Sequence, residues 1–518
     1  MTDLIIKLAM LIVFFGVMVG IGLYCRRHAT DVNGFVLGGR SVGPWLTAFA
    51  YGTSYFSAVV FVGYAGQFGW KYGIAATWAG LGNAFLGSLL AWAVLGRRTR
   101  VMTQHLDSAT MPEFFGKRFG SKALKLCASV IIFIFLIPYT ASLYNGLSRL
   151  FAMAFDIDYS VCVIVMAVLT GIYVIAGGYM ATAINDFIQG IIMIFGISAV
   201  IVAVLKGQGG FLQALQNLAQ VSDETVSSAP GVFASFFGPD PVGLLGVVLL
   251  TSLGTWGLSQ MVQKFYAIKS ESAINKGMII STIFAVIVAG GCYFLGGFGR
   301  LFSDKIDIAA GGYDSVIPTM LSGLPTLLIA VVVILVLSAS MSTLSSLVLA
   351  SSSTLTLDFI KDNMIKNMDE KRQVRWMRSL VVVFIVISVV LALIQYKSSV
   401  TFIAQLMGVS WGALAGAFLA PFLYGLYWKR TTKAACAVSF LFSTVVMLAN
   451  IFARASFPAL LQSPINCGAF CMIAGLVIVP VVSLITKAPA SERVEKVFSC
   501  YNRQVTVSVK DSIGEQTN

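Results

Sequence analysis

Apolar segments of membrane-spanning length follow one another along most of the chain, separated by polar connectors. A helix needs about 20 apolar residues to cross a bilayer, so each segment predicts one transmembrane helix. The first segment is long enough to span, lacks a small-residue cleavage site and precedes Arg26-Arg27, which argues against a cleaved signal peptide. We predict 13 transmembrane helices, at about 4–24, 45–68, 74–95, 126–153, 160–176, 185–205, 243–262, 277–297, 324–350, 379–395, 400–424, 434–452 and 466–486.

Composition and charge support an all-α integral membrane protein. Of the 518 residues, 58% are hydrophobic and 11% are charged, which excludes an ordinary soluble domain and a disordered chain. The net charge is +13, and 27 of the 35 Lys and Arg residues fall in every second connector or in the C-terminal tail. Because positive charge concentrates in cytoplasmic loops, this pattern predicts a multi-pass protein of the plasma membrane. Its N-terminus would lie outside and its C-terminus in the cytoplasm, with the lipid bilayer and not nucleic acid as its partner.

Enzymatic chemistry finds no support in the sequence. The two histidines, His28 and His105, lie in polar connectors, and the eight cysteines show neither metal-ligand spacing nor a disulfide framework. No nucleophile–base set and no phosphate-binding loop is visible. We therefore predict that the protein is not an enzyme and has no catalytic residues and no bound organic cofactor.

Two of the apolar segments are interrupted by polar, glycine-containing stretches. Residues 48–57 read AFAYGTSYFS and residues 250–260 read LTSLGTWGLSQ, so each has Gly-Thr followed within two residues by an aromatic. The two stretches lie in the second and the seventh predicted helices, an odd offset of five, so each would open a five-helix unit of opposite orientation. Broken helices at matching places in inverted halves indicate the central site of a transporter. The alternative is that Gly and Ser simply allow close helix packing.

Oxygen-bearing side chains cluster on the ninth predicted helix. Residues 338–346 include six hydroxyls, and positions 339, 342, 343 and 346 share one helical face. Such hydroxyls, with carbonyls freed by a broken helix, offer the oxygen ligands that a hard cation such as sodium needs. The alternative is that each hydroxyl bonds a carbonyl of its own helix.

Asp186 is an acidic residue that enters an apolar segment away from the extended loops. An ionisable group within a membrane helix indicates a functional site. The alternative is an N-terminal helix cap that faces cytoplasmic water.

Together these features resemble the sodium:solute symporter family, which has the LeuT-type inverted-repeat fold. The motifs that carry the resemblance are 35–41 (FVLGGRS), 177–190 (GGYMATAINDFIQG), 340–346 (SMSTLSS, running on to Asp358) and 425–430 (GLYWKR). The resemblance covers nearly the whole chain and implies ten core helices in two inverted repeats of five, with one helix before and two after. The implied segments are 1–44 (first helix and cytoplasmic connector), 45–206 (first repeat), 207–242 (extracellular connector), 243–430 (second repeat), 431–486 (two additional helices) and 487–518 (cytoplasmic tail).

The resemblance also implies the ion-binding residues, with Na+ as the coupling ion. The sodium site common to the family lies between the first and the eighth core helices. The matching oxygens are the carbonyls of Thr53, Phe56 and Ala339 and the hydroxyls of Ser342 and Thr343. The resemblance further implies a possible second sodium ion, since some members of the family have a two-sodium arrangement. The matching residues here are Asp186, Ser342, Ser345 and Ser346.

The solute would lie beside the two breaks. Its implied contacts are Tyr55, Ser57, Trp256, Ser259 and Gln260, with Gln405 as a further candidate. Sugar-transporting relatives place polar residues where this chain has 59–61 (VVF) and 77–80 (TWAG), and segment 277–297 has no lysine, which argues against a hexose. Proline-transporting relatives carry an aspartate where Tyr55 stands, which argues against sodium ligation closely like that of the proline carriers.

The expected function is sodium-coupled symport of a small organic solute: an organic acid, an amino acid or a pantothenate-like carboxylate. The positive N-terminal ends of broken half-helices could hold a carboxylate without any arginine. Two alternatives stay open. One is a proton-coupled carrier in which Asp186 titrates, and the other is a non-transporting membrane sensor or channel-like protein.

Overall fold

The computed structural model describes residues 2–155, 158–224, 226–227, 230–365, 368–398 and 403–502. Some side chains within these ranges, that of Tyr55 among them, lie outside the described set. Most of the chain in the described ranges is helical, and no strand is present there beyond the isolated bridges Val42–Ile268 and Asp223–Ser227. The predicted all-α fold class is therefore confirmed.

The helices that build the bundle are named here in chain order. They are α1 (Thr2–Cys25), α2 (Pro44–Tyr55), α3 (Ala65–Tyr72), α4 (Lys122–Phe155), α5 (Tyr159–Gly207), α6 (Pro241–Gly257), α7 (Ser259–Ala267), α8 (Ser272–Ala285), α9 (Thr326–Thr354), α10 (Glu370–Ser398), α11 (Ile403–Tyr427), α12 (Lys433–Phe452), α13 (Pro464–Ile485) and α14 (Ser491–Phe498). Shorter helical pieces include Val32–Leu37, Val59–Tyr64, Thr77–Gly82, Asn83–Leu90, Trp92–Gly96, Arg97–His105, Met111–Phe119, Phe211–Gln220, Gly291–Gly296 and Val316–Leu321.

The number of membrane crossings is lower than the sequence predicts when continuous helices are counted. In the described residues, ten helices are long and apolar enough to cross a membrane, or eleven if α6 and α7 form one bent span. The difference arises because the stretches Val59–His105 and Tyr159–Gly207 have 47 and 49 residues. Each contains more than one predicted segment, wholly or in part, and about 20 residues suffice for one crossing. The total of 13 and the two inverted repeats of five stay predictions.

The bundle has an enclosed centre and an exposed rim. The most apolar stretches of α9 and α11 are 78% and 89% buried inside the protein, whereas that of α1 is 22% buried. Helix α9 packs against α2, α4 and α5, and α11 packs against α4, α6, α12 and α13. The serines and alanines of α9 let these neighbours approach closely, as small residues do between membrane helices. The hydroxyl-rich helix therefore lies where several helices meet.

Two helices end inside the bundle and resume after a break. Helix α2 ends at Tyr55, and Phe56 is extended (φ −89°, ψ 116°) before the chain turns helical again. Helix α6 ends at Gly257, Leu258 is extended (φ −80°, ψ 121°), and α7 continues at an angle of 47°. Each break falls three residues beyond the threonine of its Gly-Thr pair, so Thr53 and Thr255 lie in the last turn before it.

The segments that flank the two broken helices meet at one end of the bundle. Val42 precedes α2, Ile268 follows α7, and the two form an isolated parallel bridge. The Lys269 amide donates to the Val42 carbonyl at 3.0 Å, and the Val42 amide donates to the Ala267 carbonyl at 3.3 Å. Backbone hydrogen bonds therefore join the start of the first broken helix to the end of the second.

Part of the C-terminal tail is helical and packs against the bundle. The Phe498 side chain of α14 is buried, and the Arg118 guanidinium carbon lies 4.8 Å from the centre of its ring. The His105 ring nitrogen Nε2 lies 2.8 Å from the Lys496 carbonyl oxygen. These contacts fix α14 beside the connectors at that end of the molecule.

We expect Gly178→Ala to lower the free energy of unfolding by about 1–3 kcal/mol. Gly178 kinks α5 with φ 56° and ψ −147°, and an added Cβ would lie 2.8 Å from the Phe35 carbonyl oxygen. Gly20→Ala in α1 is the control, because nothing lies within 4 Å of its added Cβ. Thermal unfolding of the purified protein measures both variants, and equal melting temperatures would contradict the prediction.

Candidate ion and solute site at the helix breaks

The break after α2 directs backbone carbonyls toward α9. Carbonyls in the last turn of a helix lack intrahelical partners, and the bilayer interior offers no water to replace them. The Ser342 hydroxyl donates to the Thr53 carbonyl at 3.0 Å. The Thr343 hydroxyl lies 3.2 Å from the Thr53 carbonyl oxygen and 3.4 Å from that of Phe56. Hydroxyls of α9 therefore satisfy the carbonyls that the break leaves open.

The same two hydroxyls also reach a carbonyl of their own helix. Ser342 Oγ and Thr343 Oγ1 each lie 3.1 Å from the Ala339 carbonyl oxygen. All three residues are completely buried. The structure thus brings together the five oxygens named for the sodium site, and the contact to Ala339 is the own-helix bond of the alternative interpretation. Chemically the group is an uncharged cage of oxygens, which suits a hard monovalent cation. Its hydroxyls and carbonyls offer no group for a redox or acid–base step.

Asp186 is fully buried and lies in the interior of α5. It follows the kink at Gly178 by eight residues within continuous helix, so it caps no helix N-terminus. Neither carboxylate oxygen has a hydrogen-bond partner in the part of the chain that the structure describes. Among the residues that the structure describes, the nearest cation is the Lys264 ammonium, whose Nζ lies 3.9 Å from Asp186 Oδ2.

Lys264 is the residue that the sequence analysis misplaced. It lies near the end of segment 243–262 and was therefore counted among the charges of a cytoplasmic connector. The structure instead places it on α7 with 2% exposure, where Nζ donates to Ser346 Oγ at 3.0 Å and lies 5.0 Å from the Tyr179 ring centre. The sequence did contain a signal for this position. Lys264 follows Gln260 by one helical turn, on a helix that begins at the predicted break.

In the described residues no hydrogen bond joins Asp186 to Ser342, Ser345 or Ser346, so the second sodium site stays a prediction. The Ser345 hydroxyl donates to the Ser342 carbonyl of its own helix at 2.9 Å. Ser346 instead faces Lys264 and also lies 3.0 Å, oxygen to oxygen, from the Ser54 hydroxyl of α2. The Lys264 ammonium therefore contacts both Asp186 and the α9 hydroxyl that was expected to share an ion with it.

The predicted solute residues lie at both breaks. Ser57 and Gln260 are buried, and Ser57 Oγ and Gln260 Nε2 lack hydrogen-bond partners among the described residues. Ser259 Oγ lies 3.5 Å from the Gln260 side-chain oxygen. Trp256 is 7% exposed, and its indole N–H already donates to the Leu86 carbonyl at 2.9 Å. Tyr55 is the last residue of α2, and its side chain lies outside the described residues.

Two aromatic residues that the sequence analysis did not name also lie at this place. Trp411 of α11 packs on α6 so closely that a Cβ added at Gly254 would lie 2.6 Å from its ring. The Tyr139 ring of α4 meets the Trp411 ring edge to face, with centroids 5.9 Å apart. Tyr139 OH and Trp411 Nε1 have no hydrogen-bond partner in the described ranges. Nothing in the sequence marks them, because both lie in unbroken apolar segments.

Gln405 lies away from the breaks. It belongs to the first turn of α11, about 9 Å along that helix from Trp411 at 1.5 Å per residue. Both terminal nitrogens of Arg454 lie 3.4 Å from its side-chain oxygen. The structure thus places Gln405 at the end of the bundle where α12 leaves it.

Comparison with known proteins agrees with these features. The family model described as "Sodium:solute symporter family" matches residues 35–442, which is most of the chain. The osmoregulated proline transporter OpuE of Bacillus subtilis (strain 168) is 28% identical over 482 residues, which cover 92% of this chain and 94% of the relative. The sodium/proline symporter of Staphylococcus aureus (strain JH9) is 29% identical over 453 residues, or 85% and 84% of the two chains.

A solved structure shows a similar fold. It is a substrate-bound, outward-open state of a Na+-coupled sialic acid symporter, with a TM-score of 0.72. The match covers 94% of this chain and 99% of that one at 16% sequence identity. At that identity the similarity supports the fold and carries no information about the solute.

Proposed function

Because the chain belongs to the sodium:solute symporter family, we propose that it carries a small organic solute into the cell together with sodium, by alternating access. It is a membrane transporter and not an enzyme, and Na+ is its coupling ion. The observation that carries the proposal is the contact between the broken helix α2 and the hydroxyls of Ser342 and Thr343. The N-terminus lies outside in this proposal, since the charge pattern still favours that orientation after Lys264 is moved into the bundle.

A sodium ion at this contact would couple α2 to α9. The ion would take oxygens of Thr53 and Phe56 from one helix and of Ser342, Thr343 and Ala339 from the other. In the structure the hydroxyls donate to the carbonyls. With an ion, the hydroxyls turn their oxygens inward, and one cation holds both helices. The occupied state therefore fixes the broken helix, which also carries Ser57 of the proposed solute site.

The solute class we propose is a small carboxylate or zwitterion, such as an amino acid of the proline type. Helix α7 begins at the second break, so the amides of Ser259 and Gln260 lie in a first turn that lacks intrahelical acceptors. Such a turn is a site for a carboxylate. Two relatives at 28% and 29% identity are named as proline transporters, which makes proline the first solute to test.

The first prediction concerns coupling. Protein reconstituted in liposomes should accumulate L-proline, or another member of a panel of small carboxylates and amino acids, under an inward sodium gradient. The uptake of radiolabelled solute is the measurement. Full uptake in sodium-free buffer with only a pH gradient would contradict sodium coupling and favour the proton-coupled alternative.

The second prediction concerns the sodium ligands. Thr343→Ala and Ser342→Ala should each raise the sodium concentration for half-maximal uptake at least tenfold, which corresponds to about 1.4 kcal/mol. Ser353→Ala is the matched control, because that buried hydroxyl of α9 bonds carbonyls of its own helix at Leu349 and Ala350. If all three variants require the same sodium concentration as the parent protein, the site assignment fails.

The third prediction concerns the solute. Gln260→Ala should raise the solute KM several-fold, because the variant loses a buried amide with free hydrogen-bonding capacity, and it should leave sodium binding in place. Gln263→Ala is the control on the same helix, since Gln263 Nε2 is already engaged with the Val36 carbonyl at 3.0 Å. Solute uptake and sodium binding to the purified protein are measured in parallel. A selective loss of sodium binding in Gln260→Ala would overturn the assignment.

A further inference from the structure

The buried carboxylate of Asp186 needs a compensating cation. A charge removed from water without a partner is costly, and the bilayer makes this cost larger. Asp186 has no exposed surface, and its oxygens accept no hydrogen bond from the described residues. Whatever cation stands beside it therefore determines whether the aspartate can remain ionised.

Lys264 meets the requirements of that cation. Its Nζ lies 3.9 Å from Asp186 Oδ2, donates to Ser346 Oγ at 3.0 Å and lies 5.0 Å from the centre of the Tyr179 ring. Carboxylate, hydroxyl and aromatic face are three environments that stabilise an ammonium group. Since the side chain is 2% exposed, water contributes little to its stabilisation.

We propose that the Lys264 ammonium takes the place of a second sodium ion beside Asp186, so that the protein carries a single sodium ion with each solute. This inference rests on the proposed sodium-coupled transport and adds the stoichiometry and the residue that sets it. Lys264 acts as a tethered cation: it balances the aspartate permanently and is not released with the solute.

Geometry makes the ammonium and a second sodium mutually exclusive. A cation bound to both Asp186 and Ser346 must lie at about 2.3–2.6 Å from an oxygen of each, the range that calcium shows with oxygen ligands. The Lys264 nitrogen already contacts both side chains, at 3.9 Å from Asp186 Oδ2 and 3.0 Å from Ser346 Oγ. A sodium there would meet a like charge at close range in a medium of low dielectric constant.

The charge of the cluster leads to the same conclusion. In the described part of the chain, Asp186 and Lys264 are the charged members of the cluster, and Ser54, Ser346 and Tyr179 are neutral. The pair sums to zero, so the carboxylate has no net charge left to attract a second cation, which would also meet the like charge of the ammonium. The cage at Thr343 contains no charged group, so a single sodium there meets no such obstacle among its ligands.

The position of Lys264 links it to the solute site. Gln260 and Lys264 are four residues apart on α7 and therefore share a helical face. Ser346 connects Lys264 to the Ser54 hydroxyl, and Ser54 follows Thr53, whose carbonyl belongs to the sodium cage. The tethered cation thus ties α7 to both α5 and α9 beside the ion that is transported.

The test is the sodium stoichiometry of the full chain in liposomes. We expect the unmodified protein to show a Hill coefficient of about one for sodium and one sodium ion per solute in paired 22Na+ and solute flux measurements. Lys264→Met removes the charge and keeps most of the length of the side chain. It should raise both values toward two, because the unpaired carboxylate then recruits an ion. Adding Asp186→Asn should return them to one.

Lys269→Met is the control, because Lys269 has an exposed side chain just beyond α7. It should leave the coefficient at one. Two results would overturn the proposal. One is a ratio of two sodium ions per solute in the unmodified protein that Asp186→Asn reduces to one. The other is an active Lys264→Met variant whose Hill coefficient for sodium stays at one. If Lys264→Met does not fold, equilibrium 22Na+ binding to the unmodified protein decides alone: one ion per chain supports the proposal and two refute it.

The same measurements separate this inference from the proposed function. Uptake by the unmodified protein that does not depend on sodium would refute sodium coupling itself. Sodium-dependent uptake with two ions per solute would leave sodium coupling in place and refute the role of Lys264 alone.

Discussion

A broken helix in a membrane must find hydrogen-bond partners for the backbone groups that the break exposes, because the surrounding hydrocarbon offers none. In this protein the carbonyls of Thr53 and Phe56 meet that demand through hydroxyls of α9. Much of the architecture follows from this requirement. Helix α9 must lie at the centre of the bundle, its side chains must be small enough for the neighbouring helices to approach, and its hydroxyls must face the break. The groups that stabilise the break are also groups that can coordinate a cation, so helix stability and the proposed ion binding depend on the same atoms.

The charged groups follow a different logic. Asp186 and Lys264 come from distant parts of the sequence, α5 and α7, and meet inside the bundle. Burying an ion pair is not in itself a strong source of stability, because both groups lose their hydration. Such a pair does impose a specific arrangement, since either charge alone would be left without compensation. It thereby distinguishes one relative position of α5, α7 and α9 from the alternatives that an apolar core would tolerate.

Patterns along the chain predicted the helical fold and the neighbourhood of both breaks. Gly-Thr followed by an aromatic placed each interruption to within about one helical turn, and the spacing of hydroxyls on α9 identified the face that meets α2. Lys264 was missed because hydropathy averages over a window, so a lysine at the end of an apolar segment looks like part of a loop. Trp411 and Gln405 show a further limit: the pattern does not tell which turn of α11 lies beside a break. The number of continuous helices also differs from the predicted number of crossings. One reason is that α5 continues through the kink at Gly178 and so contains two apolar segments.

The bridge between Val42 and Ile268 has a consequence for how the protein can vary. Peptide groups make this contact, so its chemistry does not depend on which side chains stand at the two positions. Mutagenesis that replaces one side chain at a time would not reveal this contact, and substitutions at the two positions can leave the backbone hydrogen bonds in place. What the bridge does constrain is distance: the chain before α2 and the chain after α7 stay within one peptide hydrogen bond of each other. Any motion that keeps these hydrogen bonds must therefore move the start of α2 and the end of α7 together.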